Sequence, residues 1–386
     1  MKGKNVMKKI ISLILVALMA CLAFASCTPA ATTADPGTTA EPETPDTPDV
    51  PNVDTTVPGG EADPTFGLNG ETPSATDLFK YKELKDGTVS ITGVYAAAAD
   101  LTKIVVPAVI DGKKVSTLGE SALATLYSLT EVVVSGYVVK IEAYAFRDCT
   151  ALKTVKLSDA LATLGEGVFS GCKALENTSF LPASLKVVGA RAFENCEGLL
   201  AASLPDAVTT IGERTFQGCS KMAEFKFPAN ITKIPDRMFQ SCSKFEFTTG
   251  CGDDLTIIIP EGVKSIGAFA FYECQQFDTI VLPSTLTKIG KQAFDSCRRM
   301  ASITIPEATT SIGDNAFNTC AKLKTVTFST NVKLGKDLFL GTKKIEVINV
   351  KAGTEAEAFA NEWKAHVDAC IANRETGWKS PTINVQ

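Results

Sequence analysis

Histidine is almost absent from this chain, whose 386 residues include only His366. Histidine is the most frequent general base and metal ligand near neutral pH, so its scarcity argues against hydrolytic and metal chemistry. The chain also has no CxxC pair and no glycine-rich phosphate loop. We therefore expect no catalytic residues, no metal site and no cofactor. We interpret His366 as a solvated residue of a terminal helix.

Basic residues are missing from residues 28–79, which contain ten Asp or Glu and no Lys or Arg. From Lys80 onward the acidic and basic residues are nearly equal in number. A near-neutral surface produces no long-range field that would attract a polyanion. The composition therefore argues against nucleic acid as a partner.

The first 27 residues have the pattern of an export signal. Lysines precede an apolar run, Ile10 to Ala25, which is shorter than the roughly 20 residues of a membrane-spanning helix. The tetrapeptide FASC, which ends at Cys27, resembles a bacterial lipobox, and LMAC, which ends at Cys21, is a second candidate. The resemblance implies that Cys27 is lipidated and anchors the mature chain to a membrane. The alternative is simple cleavage and release of the protein.

Residues 28–77 are rich in proline, threonine and acidic residues. Such a composition cannot bury a hydrophobic core, so the segment stays extended. At about 3.1 Å per residue, some 50 residues reach on the order of 150 Å. We predict a disordered linker over 28–77 that holds the folded part away from the membrane.

One nine-residue phrase returns ten times in the remainder of the chain. Its clearest copies are IGERTFQGC (211–219), IGKQAFDSC (289–297) and IGDNAFNTC (312–320). We call the second residue of each copy the marker, and most markers are about 23 residues apart. A fixed step of that length lies in the range of leucine-rich repeats. The markers are residues 119, 142, 165, 189, 212, 235, 267, 290, 313 and 335.

Each repeat predicts one short strand, a turn and a short helical or irregular return. Apolar residues six and eight positions past the cysteine have strand spacing, so they point inward. Stacked coils then share one core of aligned phenylalanines and cysteines. We expect the cysteines to be free and buried. The phenylalanines are residues 146, 169, 193, 216, 239, 271, 294, 317 and 339, and the cysteines are residues 149, 172, 196, 219, 242, 274, 297 and 320.

This pattern resembles the BspA-like class of leucine-rich repeats. The resemblance implies an α/β solenoid, a right-handed coil with about ten 23-residue repeats and one parallel sheet. It also implies an N-terminal cap over 78–117 and repeats over 118–350. Residues 351–386 are then a capping helix and tail. Thr354 and Glu357 predict a capping box at the start of this helix. The helix has an apolar stripe formed by Phe359, Trp363, Val367 and Ile371.

Two groups of residues are candidates for binding. The first consists of outward positions on the strands, where hydroxyl groups predominate, although threonine also simply suits strands. The second is an insertion between Cys242 and Pro260 that contains Cys251, Asp253 and Asp254; it is a binding loop or a tolerated bulge. The strand positions are Thr154, Lys156, Glu224, Lys226, Thr279, Ser302, Thr304, Thr325 and Thr327.

Two functions agree with these features. Proteins of the BspA-like class are associated with adhesion outside the cell, so the resemblance implies a lipid-anchored protein on the extracellular face of the cell envelope. Its partner would be an extracellular protein or glycan. The alternative is a structural spacer that meets only other copies of itself.

Overall fold

The computed structural model describes residues 56–245, 255–328 and 332–386, which form two compact units. The N-terminal unit holds residues 56–245 and 269–275, and the C-terminal unit holds the rest. Cys27 lies outside the described residues, with the predicted signal peptide and the first part of the linker. So does the insertion with Cys251, Asp253 and Asp254. Within the described ranges no helix has the length and apolar character to cross a membrane.

The N-terminal unit begins with a cap of five strands and two short 3-10 turns, Thr76–Leu78 and Ala96–Ala98. Strands β1 and β2 pair antiparallel, and β2 then pairs parallel with β5, which starts the coiled part. The five strands are β1 (Phe79–Glu83), β2 (Val89–Val94), β3 (Lys103–Val105), β4 (Val109–Ile110) and β5 (Lys113–Leu118).

Most coils contribute two short parallel strands. The first, mostly of three residues, lies five to seven positions past the cysteine, and the second is the pair of residues directly before the marker. The coil strands of this unit are β6 (Glu131–Val133), β7 (Lys140–Ile141), β8 (Thr154–Lys156), β9 (Thr163–Leu164), β10 (Val187–Val188), β11 (Ala201–Ser203), β12 (Thr210–Ile211), β13 (Glu224–Lys226) and β14 (Lys233–Ile234).

The C-terminal unit repeats this plan and ends with a helix and a last strand. Successive first strands pair in register at a step of about 23 residues, as Thr279 does with Ser302. Its elements are β15 (Thr256–Ile258), β16 (Ser265–Ile266), β17 (Thr279–Val281), β18 (Lys288–Ile289), β19 (Ser302–Ile305), β20 (Ser311–Ile312), β21 (Thr325–Phe328), β22 (Lys333–Leu334), β23 (Val347–Val350), α1 (Glu355–Ala372) and β24 (Thr382–Val385).

The predicted α/β leucine-rich-repeat solenoid is confirmed in each unit, with one difference in its sheets. The sequence predicts a single parallel sheet, whereas the two strands of each coil lie in different sheets, and each set of strands is interrupted within the N-terminal unit. We use "first sheet" for the sheets that contain the first strands and "second sheet" for those that contain the second strands. A two-residue strand is too short to show an alternating pattern, so the second sheet left no readable signal.

The aligned phenylalanines form the core of both units, as predicted. In the N-terminal unit the rings of Phe146, Phe169 and Phe193 stack with centroids 5.2 and 5.5 Å apart. In the C-terminal unit Phe294 and Phe317 stack at 5.7 Å. All five side chains are fully buried. Since aromatic rings carry large apolar areas, this column supplies much of the burial that holds neighbouring coils together.

The return of each coil is a chain of tight turns with left-handed residues at two positions, two past the marker and directly before the cysteine. Arg214 and Gly218 occupy these positions in one coil, with φ of 58° and 74°. At Tyr144 and Asp148 the corresponding φ is 58° for both. Left-handed residues interrupt any α-helix, so the return is irregular rather than helical.

The C-terminal helix covers the last coil but departs from its predicted details. Ile371 is exposed, and Cys370 is buried in its place. Residues spaced by four drift about 40° per step around a helix of 3.6 residues per turn, so the fourth member of the stripe rotates outward. The capping box is also incomplete: Glu357 accepts the N–H of Gly353, while the Thr354 side chain makes no capping bond.

The end of the predicted linker packs on the N-terminal unit. We call residues 58–74 the N-terminal strap. Its Leu68 is buried with Val105 and Val133 of the first sheet. The Phe66 ring stacks on Tyr137 with centroids 4.5 Å apart. These long-range apolar contacts fix a segment whose composition alone predicts no order.

Candidate binding surfaces

The first sheet of the C-terminal unit presents an ordered row of hydroxyl groups. Thr256 pairs with Thr279, Thr279 with Ser302, and Ser302 with Thr325. These residues are half-buried, so their outer atoms reach solvent. Neighbouring strands lie about 4.8 Å apart, and the row therefore repeats a hydroxyl group at that interval.

A second row of outward side chains lies on the same sheet, and at one end of this row the side chains hydrogen-bond to one another. The Asn384 side chain donates to Asn349, which in turn donates to Thr327, at 2.9 and 2.7 Å. Thr327 is only 7% exposed, so this candidate residue offers little surface to a partner. Its neighbour Thr304 remains half-buried, and Ile258 and Val281 at the other end of the row are exposed.

The strand positions of the N-terminal unit divide into a covered and an open group. Lys156 binds Glu71 of the N-terminal strap at 2.6 Å, and Lys103 binds the same carboxylate at 2.8 Å. Hydrogen bonds from the two lysines lower the pKa of Glu71 to about 2. Thr154 lies on the same strand as Lys156, and its side chain is exposed. Near its start, the first sheet is therefore partly occupied by the protein's own strap.

Glu224 and Lys226, the candidates on β13, form the open group and are both exposed. Lys226 Nζ lies 3.8 Å from the Asp206 carboxylate, and both side chains remain largely in solvent. An exposed pair of this kind contributes little to stability, so both charges stay available to a partner.

A groove of about 540 Å³ opens beside the second sheet of the N-terminal unit. It lies between the coil of β12 and the coil of β14. Its lining includes Val208, Ile211 and Ile231 on the apolar side. Its size is in the usual range for ligand pockets. None of the described candidate positions from the sequence lies in its lining.

The groove marks a break in the second sheet, because β12 and β14 of neighbouring coils do not pair. Elsewhere the marker residue donates its N–H to the coil before it: Gly189 to Leu164, and Gly212 to Val188, both at 2.8 Å. The equivalent marker here is Pro235. Proline has no N–H, so this bond cannot form.

The break leaves two backbone acceptors on the open edge of β12. Lys186 and Val188 accept N–H groups of the following coil, and the carbonyls of Thr209 and Ile211 are their equivalents one coil later. Within the described residues, neither of these two carbonyls accepts a hydrogen bond. The Ile211 side chain is also partly exposed, although its counterpart Val188 is fully buried.

Charged residues surround the apolar floor of the groove. Arg191 donates to Glu166 at 2.8 Å, and Tyr144 donates to the same carboxylate. Glu213 lies 3.3 Å from Arg214. The lining carries the carboxylates of Glu166, Glu213 and Asp236, and the cations of Arg191 and Lys233. With Arg214 counted, the charges around the groove balance, and its carboxylates can each accept a hydrogen bond from a basic group of a ligand.

Sequence reasoning missed this groove, although the sequence carries a sign of it. In the series of marker residues, proline occurs once, at position 235, where glycine is usual. A proline at a position that normally donates to the preceding coil predicts a local break.

A comparison with protein families matches residues 116–246 and 247–364 to the family described as BspA type leucine rich repeat region, in six copies. These residues make up well over half of the chain. The protein belongs to the BspA-type leucine-rich-repeat family. Repeats and folds of this kind are typically binding scaffolds rather than enzymes. A search of curated proteins finds no match.

Solved structures of other bacterial proteins resemble this BspA-type chain. A leucine-rich-repeat protein from Bacteroides ovatus is 25% identical over 72% of this chain and 70% of that chain, with a TM-score of 0.63. A leucine rich cell surface protein from Faecalibacterium prausnitzii is 20% identical, covering 70% and 95%, with a TM-score of 0.32. The pneumococcal vaccine antigen PcpA is 16% identical, covering 82% and 99%, with a TM-score of 0.41.

The cysteines of the BspA-type repeats are buried, as predicted. Each thiol that has a hydrogen bond here donates to a backbone carbonyl of the preceding coil, as Cys196 does to Phe169 and Cys219 to Phe193, both at 3.1 Å. Burial raises the pKa of the Cys196 thiol to about 12 and places that of Cys219 well above its usual value. A protonated, enclosed thiol is a poor nucleophile, so the column acts as packing.

We predict that the folded protein loses stability as the pH rises from about 9 toward 12. The unfolded chain releases thiol protons near the ordinary pKa of 9.0, whereas folded Cys196 keeps its proton to about 12. The unfolded state therefore binds fewer protons in this window, and the free energy of unfolding falls with pH. Urea unfolding at pH 8 and pH 10.5 measures the difference, and a variant with Cys196→Ala should show a smaller loss.

His366 is not simply solvated, as the sequence suggested. It is half-buried, with its ring centroid 5.5 Å from that of Trp363 and 5.6 Å from that of Trp378. Within the described ranges, no three His, Cys, Asp or Glu residues are placed to hold a metal ion. We therefore assign His366 to the packing of the C-terminal cap.

Proposed function

We propose that the protein is a lipid-anchored binding protein that adheres to a protein or glycan outside the cell. The carrying observation is the first sheet of the C-terminal unit, where paired strands hold Thr256, Thr279, Ser302 and Thr325 in one solvent-facing row. The interior of the coils supplies the stability, so the outer row is free for recognition. Membership of the BspA-type family and the export signal support the same function.

Adhesion of the full chain tests this proposal. Beads coated with the protein should be retained in a flow cell over at least one member of a panel of matrix proteins and cell-wall glycans. The double variant Ser302→Arg, Thr325→Arg places two bulky cations in the row and should reduce retention at least tenfold. The matched control is Ser265→Arg, Ser311→Arg, which puts the same charges on half-buried positions of the second sheet.

Two results contradict adhesion through this row. One is retention on no surface of the panel, and the other is an equal loss in both double variants. Light scattering of the full chain separates the alternative of a spacer, which self-associates as its concentration rises without any added partner.

The anchor has its own test. We expect mass spectrometry of the native N-terminus to find a lipid-modified residue 27, and Cys27→Ser to release the protein from the membrane. An unmodified N-terminus beyond Cys27, with the protein in the medium, contradicts lipidation while leaving adhesion possible.

A further inference from the structure

The groove beside β12 has an unusual combination of features. Two backbone carbonyls, those of Thr209 and Ile211, face it without hydrogen-bond donors in the part of the chain that the structure describes. Carbonyls on an open sheet edge are acceptors available to an added strand. The apolar side chain of Ile211 is also left partly open. The second sheet of the N-terminal unit has thus lost one rung between β12 and β14.

We propose that this groove binds an extended peptide segment of a partner protein, which adds a short strand to the open edge of β12. The carbonyls of Thr209 and Ile211 are two residues apart in the chain. An extended strand presents N–H groups to one side at alternate residues, so its spacing matches these acceptors. Such strand addition obtains affinity from main-chain bonds and selectivity from side-chain pockets.

The lining defines the chemistry of the occupant. Val208, Ile211 and Ile231 form an apolar floor that accepts a small aliphatic side chain from the added strand. The rim carboxylates of Glu166, Glu213 and Asp236 can accept hydrogen bonds from a basic residue beside it. Among the described residues that line the groove, none is an aromatic side chain for stacking, which disfavours a sugar as the occupant. A basic peptide with a central valine therefore suits the groove.

Pro235 has the role of keeping the site open. With glycine at this marker position, its N–H would donate to Ile211, as Gly212 does to Val188. The coils would then close on each other, since Gly212 and Ala190 already approach so closely that a Cβ at Gly212 would lie 2.2 Å from the Ala190 nitrogen. The inference deepens the proposed function, because it names a class of partner segment, but it does not depend on the hydroxyl row.

Fluorescence anisotropy of the full chain with the labelled peptide acetyl-KTVTK-amide tests the inference. We expect a Kd between about 10 μM and 1 mM, as befits two hydrogen bonds and one buried side chain. Pro235→Gly should weaken binding at least tenfold. Ile211→Lys, which puts a positive charge on the partly exposed floor and repels the basic peptide, should weaken it similarly. The control is Pro228→Gly, the same substitution outside the groove lining, which should bind as the parent does.

N-methylated peptides separate strand addition from simple charge attraction. One peptide is methylated on the amides of residues 2 and 4, and the other on those of residues 3 and 5. An added strand uses only one of these sets, so one peptide should bind and the other should fail. The inference is overturned if the parent peptide does not bind at millimolar concentration, if Pro235→Gly binds equally well, or if both methylated peptides behave alike.

The adhesion panel distinguishes a failure of this inference from a failure of the proposed function. If the peptide binds but beads are retained on no surface, the adhesion proposal is wrong and the groove proposal is still supported. If bead retention survives both Pro235→Gly and Ile211→Lys and the peptide does not bind, the groove proposal is wrong and adhesion is still supported.

Discussion

Replacing Phe216 by alanine should lower the free energy of unfolding by about 3–5 kcal/mol. The ring is fully buried and lies between Phe193 and Phe239, with centroids 5.3 and 6.1 Å away, while the Phe225 ring packs in a T-shaped arrangement with its centroid 5.1 Å away. Alanine would remove contacts to three rings at once. The neighbours belong to different coils and cannot collapse together without breaking their backbone bonds, so a cavity remains.

Urea unfolding followed by circular dichroism measures this effect. The matched control is Leu200→Ala in the same unit, because Leu200 is 51% exposed and should change stability by less than about 1 kcal/mol. Since coils interact mainly with their neighbours, we also expect faster hydrogen exchange in the coils of Phe193 and Phe239. Equal shifts for Phe216→Ala and Leu200→Ala would show that the phenylalanine column does not form the core.

Replacing Trp363 by alanine should destabilise the C-terminal unit by about 3–5 kcal/mol. Trp363 is 7% exposed, and its ring packs against Phe339 of the last coil and Trp378 of the tail at 5.6 and 5.8 Å. It therefore joins helix α1 to the end of the aromatic column. Loss of this contact exposes the last coil, which a solenoid must keep covered.

Two further variants sharpen this prediction. Ile371→Ala, on the same helix, should have little effect because Ile371 is 42% exposed. Trp363→Phe should recover most of the stability, since within the described residues the buried indole N–H has no hydrogen-bond partner to lose. A large loss for Ile371→Ala, or none for Trp363→Ala, would contradict the assigned orientation of the helix.

The repeat spacing was enough to predict the coils and their interior. Phe216 and its equivalents occupy one position of the repeat, and Cys219 and its equivalents occupy another. When coils stack, residues at the same repeat position lie next to each other in neighbouring coils. The second sheet could not be predicted in this way, because its strands are only two residues long. The sequence also did not predict which face of α1 is buried at its C-terminal end. A spacing of four residues only approximates the helix period of 3.6, so the predicted apolar stripe no longer faces the core at Ile371.

Contacts between distant parts of the chain limited the prediction of the binding surface. Alternation correctly placed Lys226 and Ser302 on outward positions, but it could not show that Glu71 of the strap binds Lys156. Nor could it show that Asn349 covers Thr327. The groove depended on a missing hydrogen bond at Pro235, which becomes visible only when neighbouring coils are compared.

Amide hydrogen exchange at Gly212 and Thr232, measured by NMR on the full chain, tests the account most directly. Gly212 donates to Val188 across neighbouring coils, so its amide should be strongly protected. Thr232 is exposed and lies beside the break, so its amide should exchange nearly as fast as in an unfolded chain. An unprotected Gly212 would contradict the stacking of coils, and a Thr232 as protected as Gly212 would contradict the open edge of β12.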